Sequence, residues 1–582
     1  MTAPNRNTLW AETLIEELIE QGVGAVCVSP GSRSTPLTVA AANQESLTVY
    51  SHLDERSSAF FGLGRSRRTG EPTALICTSG TAAANYHPAI MEASESRVPL
   101  IALTADRPPE LQDSGANQTT DQEKLYGDAV RYYRTLPEPE PDPRKLRALR
   151  VTAGRAVSEA TGVPPGPVHL NVPFRKPLEP IEVEGDVPPD IAQRAPLGTG
   201  GRDSPFVQEH RGRLELPAEE AQQLAARLNA AERGVIVCGP ANQPTPDRAS
   251  LATLAESTGF PVLADPLSGH RFGEHVESVA ICGGYDSYLD WVDWPVPDVA
   301  VRFGASPTSK GLRKYLRDTA DQQILVDPAG EFREAEFTAT DLVAADPTAV
   351  ADALAERITD PGTGEYRERF VEAEQSYWTR IEAACEETWF EGGVLHAVAE
   401  RLPDPSTCFV SNSMPVRDLD RFGRPRSGAI TVLGNRGVSG IDGIVSSGLG
   451  AGSAGDEPLV LVLGDLAFYH DMNGLLALTR CDVDATIVLV DNDGGGIFHK
   501  LPIEEFEPPF TDQFKTPHGL DFSPTGELYD FSFERPANRA EFCTAFEESV
   551  ESEGTQLLSA EFDSTESHRF RERLHEDVRG RL

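Results

Sequence analysis

The stretches "LVLGDLAFYHD" (461–471) and "IVLVDNDGGGIF" (487–498) each carry an aliphatic run into an oxygen-bearing side chain, Asp465 in the first and Asn492 in the second, set beside glycines. A carboxylate, an amide oxygen and a nearby backbone carbonyl form a hard donor set. Such a set suits Mg²⁺ (or Mn²⁺) shared with phosphate oxygens. Gly464 lets a diphosphate approach the backbone, and Gly494, Gly495 and Gly496 free the second turn to wrap an ion. The chemistry these residues could do is metal-assisted binding of a diphosphate. A lone Gly-Asp after a strand has an ordinary alternative, an Asp capping the next helix. The pairing with "DNDGGGIF" separates the two readings.

Those side chains lie 27 residues apart, with the helical stretch "AFYHDMNGLLALTR" (467–480) between them. A strand–helix–strand crossover of that length lays parallel strands side by side and brings their carboxyl ends together. The rest of the chain alternates in the same way, in three segments. The first, 1–180, offers the strands "GAVCVS", "LTVYSHL", "TALICTS", "PLIALTA" and "PVHLNV". The second, 195–355, offers "GVIVCG", "FPVLAD", "DVAVRFG" and "QQILVD". The third, 362–582, offers "TCFVSN", "AITVLGN", "PLVLVLGD", "ATIVLVDN" and "QLLSAEF". The predicted fold class is α/β: three domains, each an open, mostly parallel sheet flanked by helices. The Pro-, Gly- and charge-rich stretch 177–206 reads as a linker between the first two. Ligands of open parallel sheets sit at the carboxyl ends of the strands. The first and third segments carry dense polar and glycine-rich stretches there.

At 582 residues and 39% hydrophobic content, the chain exceeds what one core organises. No apolar run approaches the roughly 18–20 residues of a membrane span. The start "MTAPNRNTLWAETLIEELIE" is an acidic amphipathic helix without a signal pattern, so a cytoplasmic location is predicted. Net charge is −39 with only seven lysines, and the acids are spread along the chain. That pattern fits a solvated surface suited to a salt-rich cytoplasm and argues against nucleic acid as a partner. The eight cysteines form no C-x-x-C pair and read as buried free thiols. The twelve histidines show no ligand-like spacing, and phosphate-loop, nucleophile-elbow and H-E-x-x-H motifs are absent. The middle segment's "CGPANQP" is not a dinucleotide fingerprint, which leaves flavin or nicotinamide unsupported there.

The Gly-Asp-Leu…Asn pairing resembles the metal–diphosphate signature of thiamine-diphosphate enzymes, usually Gly-Asp-Gly followed by Asn. Leu466 stands here in place of the third glycine. The resemblance implies thiamine diphosphate as cofactor, lying against Gly464 and Leu466, with the cation held by Asp465, Asn492 and the Gly494 carbonyl. It also requires a glutamate in a separate pyrimidine-binding domain, where it hydrogen-bonds the aminopyrimidine ring and drives its tautomerisation. Glu55 in "HLDERSSAFFGLG" (52–64) matches, just after a strand and at a helix start. Taken alone, Glu55 is a first-turn acid favoured by the helix dipole.

The chain resembles more closely the 2-succinyl-5-enolpyruvyl-6-hydroxy-3-cyclohexene-1-carboxylate synthases of menaquinone biosynthesis, a likeness spanning essentially its whole length. The strings that carry it are "SPGSRSTPL", "TADRPPELQDSGANQT", "SNSMPVRD", "NRGVSGIDG" and "DNDGGGIFHKLP". Leucine after Gly-Asp is that family's form as well. The resemblance implies decarboxylation of 2-oxoglutarate and conjugate addition of the resulting succinyl carbanion to isochorismate. Several carboxylates must then be held, and Arg33, Arg107, Arg417 and Arg436 all fall in the matched strand-end loops. By the same carry-over, Ser32, Gln118, Lys310 and Ser413 are polar contacts. Ile497, Phe498 and Leu501 are apolar walls, and Ile441 props the cofactor in its bent form. Asp442 and His499 stand beside these. The implied domain order is pyrimidine-binding, central, diphosphate-binding. In this superfamily the glutamate and the diphosphate site meet across a subunit interface, implying an obligate homodimer or a homotetramer built from dimers. The alternative is another thiamine-diphosphate 2-oxoacid decarboxylase or carboligase, such as an acetolactate-synthase relative. A catalytically silent binding protein is disfavoured by retention of Glu55, Asp465 and Asn492.

Overall fold

A computed structural model describes residues 3–289, 294–362 and 364–581. Its strands form three six-stranded sheets whose ladders are all parallel. The first comprises β1 (Ala25–Val28), β2 (Thr48–Ser51), β3 (Thr73–Cys77), β4 (Leu100–Asp106), β5 (Tyr132–Thr135) and β6 (Pro167–Pro173), in the order β2-β1-β3-β4-β6-β5. The second comprises β7 (Gly234–Cys238), β8 (Val262–Ala264), β9 (Ile281–Cys282), β10 (Val299–Phe303), β11 (Gln322–Val326) and β12 (Asp341–Val343), in the order β12-β11-β10-β7-β8-β9. The third comprises β13 (Ser406–Val410), β14 (Ile430–Leu433), β15 (Leu459–Gly464), β16 (Thr486–Asp491), β17 (Ser532–Glu534) and β18 (Gln556–Glu561), in the order β14-β13-β15-β16-β18-β17. The first and third sheets therefore share one strand order. Central strands such as β3, β4 and β15 are buried almost throughout. Helices on both faces of a parallel sheet explain why these strands read as unbroken aliphatic runs.

The chain forms two compact units. One consists of Met1–Arg211, Gly437–Asp456 and Asp471–Val483, and holds the first sheet. The other consists of Gly212–Arg436, Glu457–His470 and Asp484–Leu582, and holds the second and third. Two excursions from the third segment thus belong with the first sheet. Within that unit, helix α1 (Glu55–Thr69) packs on helix α2 (Ile444–Gly452) through bare backbone. A Cβ on Gly64 would lie 1.9 Å from the Ser447 carbonyl oxygen, and one on Gly450 would lie 2.0 Å from that of Phe61. Asp54 caps α1 by accepting from the Arg56 and Ser57 backbone N–H groups, at 2.8 and 3.4 Å.

The stretch read as a linker is instead clasped to the first unit. Arg150, buried, donates from Nε to the Gly198 carbonyl at 2.9 Å, and the Phe206 N–H donates to Glu17 Oε1 at 2.8 Å. In the second sheet the strand order reverses between β7 and β10, where sheets of this order open a ligand crevice. Here the two strand-end loops close on each other: Gly239 N–H donates to the Phe303 carbonyl and Ala305 N–H to that of Pro240, both at 2.9 Å. A Cβ on Gly239 would sit 1.7 Å from the Ala305 carbonyl oxygen. No helix among the described residues is long and apolar enough to cross a membrane. All eight cysteines are free, and six of them are buried.

Candidate active site

Strands β15 and β16 pair in register with Gly464 opposite Val490, which sets Asp465 and Asn492 at neighbouring carboxyl ends. Asp465 is buried. Its Oδ1 accepts the Leu466 N–H at 2.7 Å, and its Oδ2 accepts the Gly494 N–H at 2.8 Å. Gly494 has φ +133°, and a Cβ there would lie 2.1 Å from the Lys515 carbonyl oxygen, so only glycine fits this turn. At Gly464 a Cβ would meet nothing closer than the Val490 carbonyl oxygen at 3.9 Å, which leaves the space beside Asp465 open. Asn492 Nδ2 donates to Glu391 Oε1 at 3.1 Å, while its Oδ1 is buried without a hydrogen-bond partner.

Two residues absent from the sequence reading join this cluster. Asp491 and His518 offer ligand atoms that lie, with one from Asp465, within 4.8 Å of one another. His518 Nε2 is 3.1 Å from Asp465 Oδ2, and its backbone N–H donates to Asp493 Oδ1 at 2.8 Å. Burial pushes the Asp491 carboxyl up to about 6, and the facing Asp465 charge acts the same way. Paired carboxyls and an orphaned amide oxygen at adjoining strand ends fit a divalent cation, which would relieve the repulsion and take up the unused acceptor. The histidines show no ligand-like spacing in the sequence, yet the fold brings one of them, His518, to Asp465. His518 arrives through a loop 53 residues beyond Asp465, a separation that no spacing rule captures.

The same unit holds an arginine pair. Ser413, at φ +69°, precedes helix α3 (Met414–Phe422), and Arg417 Nη1 turns back to the Ser413 carbonyl. Arg436 Nη1 donates to Asn412 Oδ1 at 3.0 Å, and its Nε is buried without a partner. Burial, and next the Arg436 charge, push Arg417 below the usual guanidinium value. Ile497 and Phe498 are half-buried on the turn Gly496–Lys500, Leu501 is exposed, and the Phe498 ring lies 5.5 Å from that of Phe514. His499 is spent internally, with Nδ1 2.8 Å from Glu504 and Nε2 3.2 Å from Ser564. Lys310 is exposed at the first position of helix Lys310–Thr319.

In the other unit Glu55, half-buried, is the first residue of α1, just past β2. Arg33 is buried and donates from Nη1 to the Phe174 carbonyl at 2.7 Å. Arg107 Nη2 donates to the Asn117 carbonyl at 2.6 Å, and both arginines have a buried Nε without a partner. Burial, and next the Arg107 charge, push Arg33 down. Gln118, exposed at φ +53°, donates from Nε2 to the Ser79 carbonyl at 3.1 Å. The Ser32 side chain is exposed, and its carbonyl accepts the Thr35 hydroxyl at 2.8 Å. Ile441 and Asp442 are half-buried in the loop leading into α2. Each unit therefore presents two arginines that repel each other and whose guanidinium groups hydrogen-bond only neutral protein oxygens, an arrangement suited to an anion.

Comparison with known proteins finds matches in the first and last thirds of the chain. Residues 10–125 match the N-terminal TPP-binding domain of thiamine pyrophosphate enzymes, and residues 423–560 match the C-terminal TPP-binding domain. The chain is 62% identical to the 2-succinyl-5-enolpyruvyl-6-hydroxy-3-cyclohexene-1-carboxylate synthase of Haloarcula marismortui, with 99% of each covered. It is 58% identical to the synthase of the same name from Halobacterium salinarum, with 100% of each covered, and 46% identical to that of a Roseiflexus species, with 96% of each covered. Among solved structures it resembles a thiamine diphosphate-dependent 4-hydroxybenzoylformate decarboxylase of Rhodococcus jostii, with a TM-score of 0.71 at 17% identity. That likeness covers 95% of this chain and 99% of that one, and shows the fold.

Proposed function

The chain belongs to the family of 2-succinyl-5-enolpyruvyl-6-hydroxy-3-cyclohexene-1-carboxylate synthases, thiamine-diphosphate enzymes, and from that premise we propose how its residues share the work. It is a transferase of menaquinone biosynthesis. The four-carbon succinyl unit of 2-oxoglutarate, after loss of CO₂, is added in conjugate fashion to isochorismate. Thiamine diphosphate, when bound, supplies the electron sink for the loss of CO₂ and returns the electron pair for the addition.

Asp465, Asn492 and the Gly494 carbonyl would hold Mg²⁺ (or Mn²⁺) and, through it, the diphosphate beside Gly464 and Leu466. The single observation that carries this is the Asn492 Oδ1, buried and unpartnered at the strand end next to Asp465. Glu55 would hydrogen-bond the aminopyrimidine ring of the bound cofactor and exchange a proton with it. Arg33, Arg107, Arg417 and Arg436 bind the substrate carboxylates, with Ser32, Gln118, Lys310 and Ser413 as neutral or single-point partners. Holding two acids in one orientation is positioning catalysis. Ile441 would prop the cofactor in its bent form, and Ile497, Phe498 and Leu501 would be apolar walls that exclude water. Glu55 belongs to one compact unit and Asp465 to the other. The working form is a homodimer, or a homotetramer of such dimers, in the cytoplasm.

The test is CO₂ release from 2-oxoglutarate and from pyruvate, each with and without isochorismate and thiamine diphosphate. Turnover should require 2-oxoglutarate and the cofactor and yield the adduct only with isochorismate. A preference for pyruvate would instead indicate a different carboligase. Glu55→Gln should keep cofactor binding and lose roughly 100-fold or more in kcat. An active Glu55→Gln enzyme would remove Glu55 from its role.

A further inference from the structure

The group that holds Asn492 from behind belongs to a buried ionic chain. Glu391, the first residue of helix α4 (Glu391–Arg401), accepts Asn492 Nδ2 on Oε1 at 3.1 Å and Arg571 Nη2 on Oε2 at 2.6 Å. Arg571 comes from the last helix, α5 (Ser564–Arg581), and also donates from Nε and Nη2 to Asp418 on α3, at 2.9 and 2.5 Å. Glu391, Arg571 and Asp418 are at most 4% exposed.

A carboxamide can be turned either way, and its neighbours decide which end faces where. A carboxylate only accepts, so it takes the NH₂ of Asn492 and leaves the oxygen facing the other side. We propose that Glu391, locked by Arg571, is a positioning residue that fixes the Asn492 amide with oxygen rather than nitrogen toward the cation. This rests on reading Asp465 and Asn492 as cation ligands. Arg571 has a definite part. A guanidinium, which has donors only, keeps both Glu391 oxygens as acceptors. Asp418 takes the Nε–Nη2 edge of that guanidinium and shares Nη2 with Glu391.

Glu391→Gln tests the idea with one atom changed. The new carboxamide must turn its oxygen to Arg571, so its NH₂ faces Asn492. Asn492 turns to accept it, and nitrogen then faces the cation. Mn²⁺ titrated in the presence of thiamine diphosphate, with free Mn²⁺ read by electron paramagnetic resonance, should show a Kd raised roughly 10- to 100-fold. The double variant Glu391→Gln/Asn492→Asp swaps donor and acceptor across the pair. An oxygen then faces the cation again, and the Kd should return near the wild-type value. Asp418→Asn should lower the melting temperature without moving the Kd, because it leaves the Glu391 contacts in place. A folded Glu391→Gln protein with wild-type Kd overturns the proposal. If Glu391→Gln does not fold, the double variant decides, and its failure to fold or to bind Mn²⁺ also overturns it. Asp465→Ala separates the two levels. Mn²⁺ binding indifferent to Asp465→Ala refutes the ligand reading itself, whereas loss there with indifference to Glu391→Gln refutes only the part assigned to Glu391.

Discussion

Arg33 and Arg107 in one unit, and Arg417 and Arg436 in the other, make no ion pair among the described residues, although the chain carries 91 acids. Like charges held together cost stability until an anion arrives, which distinguishes these four from structural arginines. Replacing any one by Ala should lower kcat/KM for an acid substrate roughly 10- to 100-fold, the worth of a charge-assisted hydrogen bond of about 1.5–3 kcal/mol. It should leave the melting temperature of the ligand-free protein unchanged or slightly higher. Lysine should restore little, because a point charge does not reproduce a two-pronged fork. A lower melting temperature with unchanged kinetics would show instead that these arginines merely brace the loops. Asp465 and Asn492 were legible in the sequence because their spacing matches one crossover. Glu391 and His518 were not. The first looks like any acid in a helix's first turn, and the second is carried by a loop whose path depends on tertiary packing.

At the scale of elements, the strands that escaped the pattern reading were β5, β9, β12 and β17, each at a sheet edge. Edge strands here are short, and all but β9 are partly exposed, so they lack the unbroken aliphatic run that doubly covered strands display. The linker assignment failed for a related reason. Composition reported flexibility, but buried Arg150 and Glu17 anchor the stretch. Nor did strand patterning reveal that residues 437–456 pack with the first sheet. The trace of it was the glycine spacing in "GIDGIVSSGLGAG" (440–452), which lets α2 meet α1 at backbone distance. Gly450→Ala should therefore cost about 1–3 kcal/mol in denaturant unfolding, since its Cβ would meet the rigid Phe61 carbonyl. Gly580→Ala, in α5 with nothing within 4 Å of its Cβ, should be neutral or stabilising. Equal effects of the two substitutions would mean that α1 and α2 are not in close contact.

For the whole molecule, charge imbalance sets how stability answers to salt. The 52 Lys and Arg residues can neutralise at most 52 of the 91 Asp and Glu, which leaves a net −39 to repel itself across the surface. Salt acts on both parts. It weakens exposed ion pairs such as Arg175 with Glu138, but such pairs are worth only about 0–1 kcal/mol each. It also shortens the reach of the unpaired charges, from about 10 Å at 0.1 M to about 3 Å at 1 M. The second effect wins, because every unpaired acid repels many others, whereas a pair loses one partner's modest attraction. Raising KCl from 0.1 M to 2 M should therefore raise the melting temperature, by about 4–8 °C if two kcal/mol of repulsion is relieved, at roughly 2–4 °C per kcal/mol. Thermal melts followed by circular dichroism measure this directly. Tetramethylammonium chloride, matched in ionic strength, should reproduce most of the low-salt part of the rise, since screening is indifferent to the cation. A melting temperature that is flat or falls with salt would mean that the paired charges, not the excess acids, govern the stability of this fold.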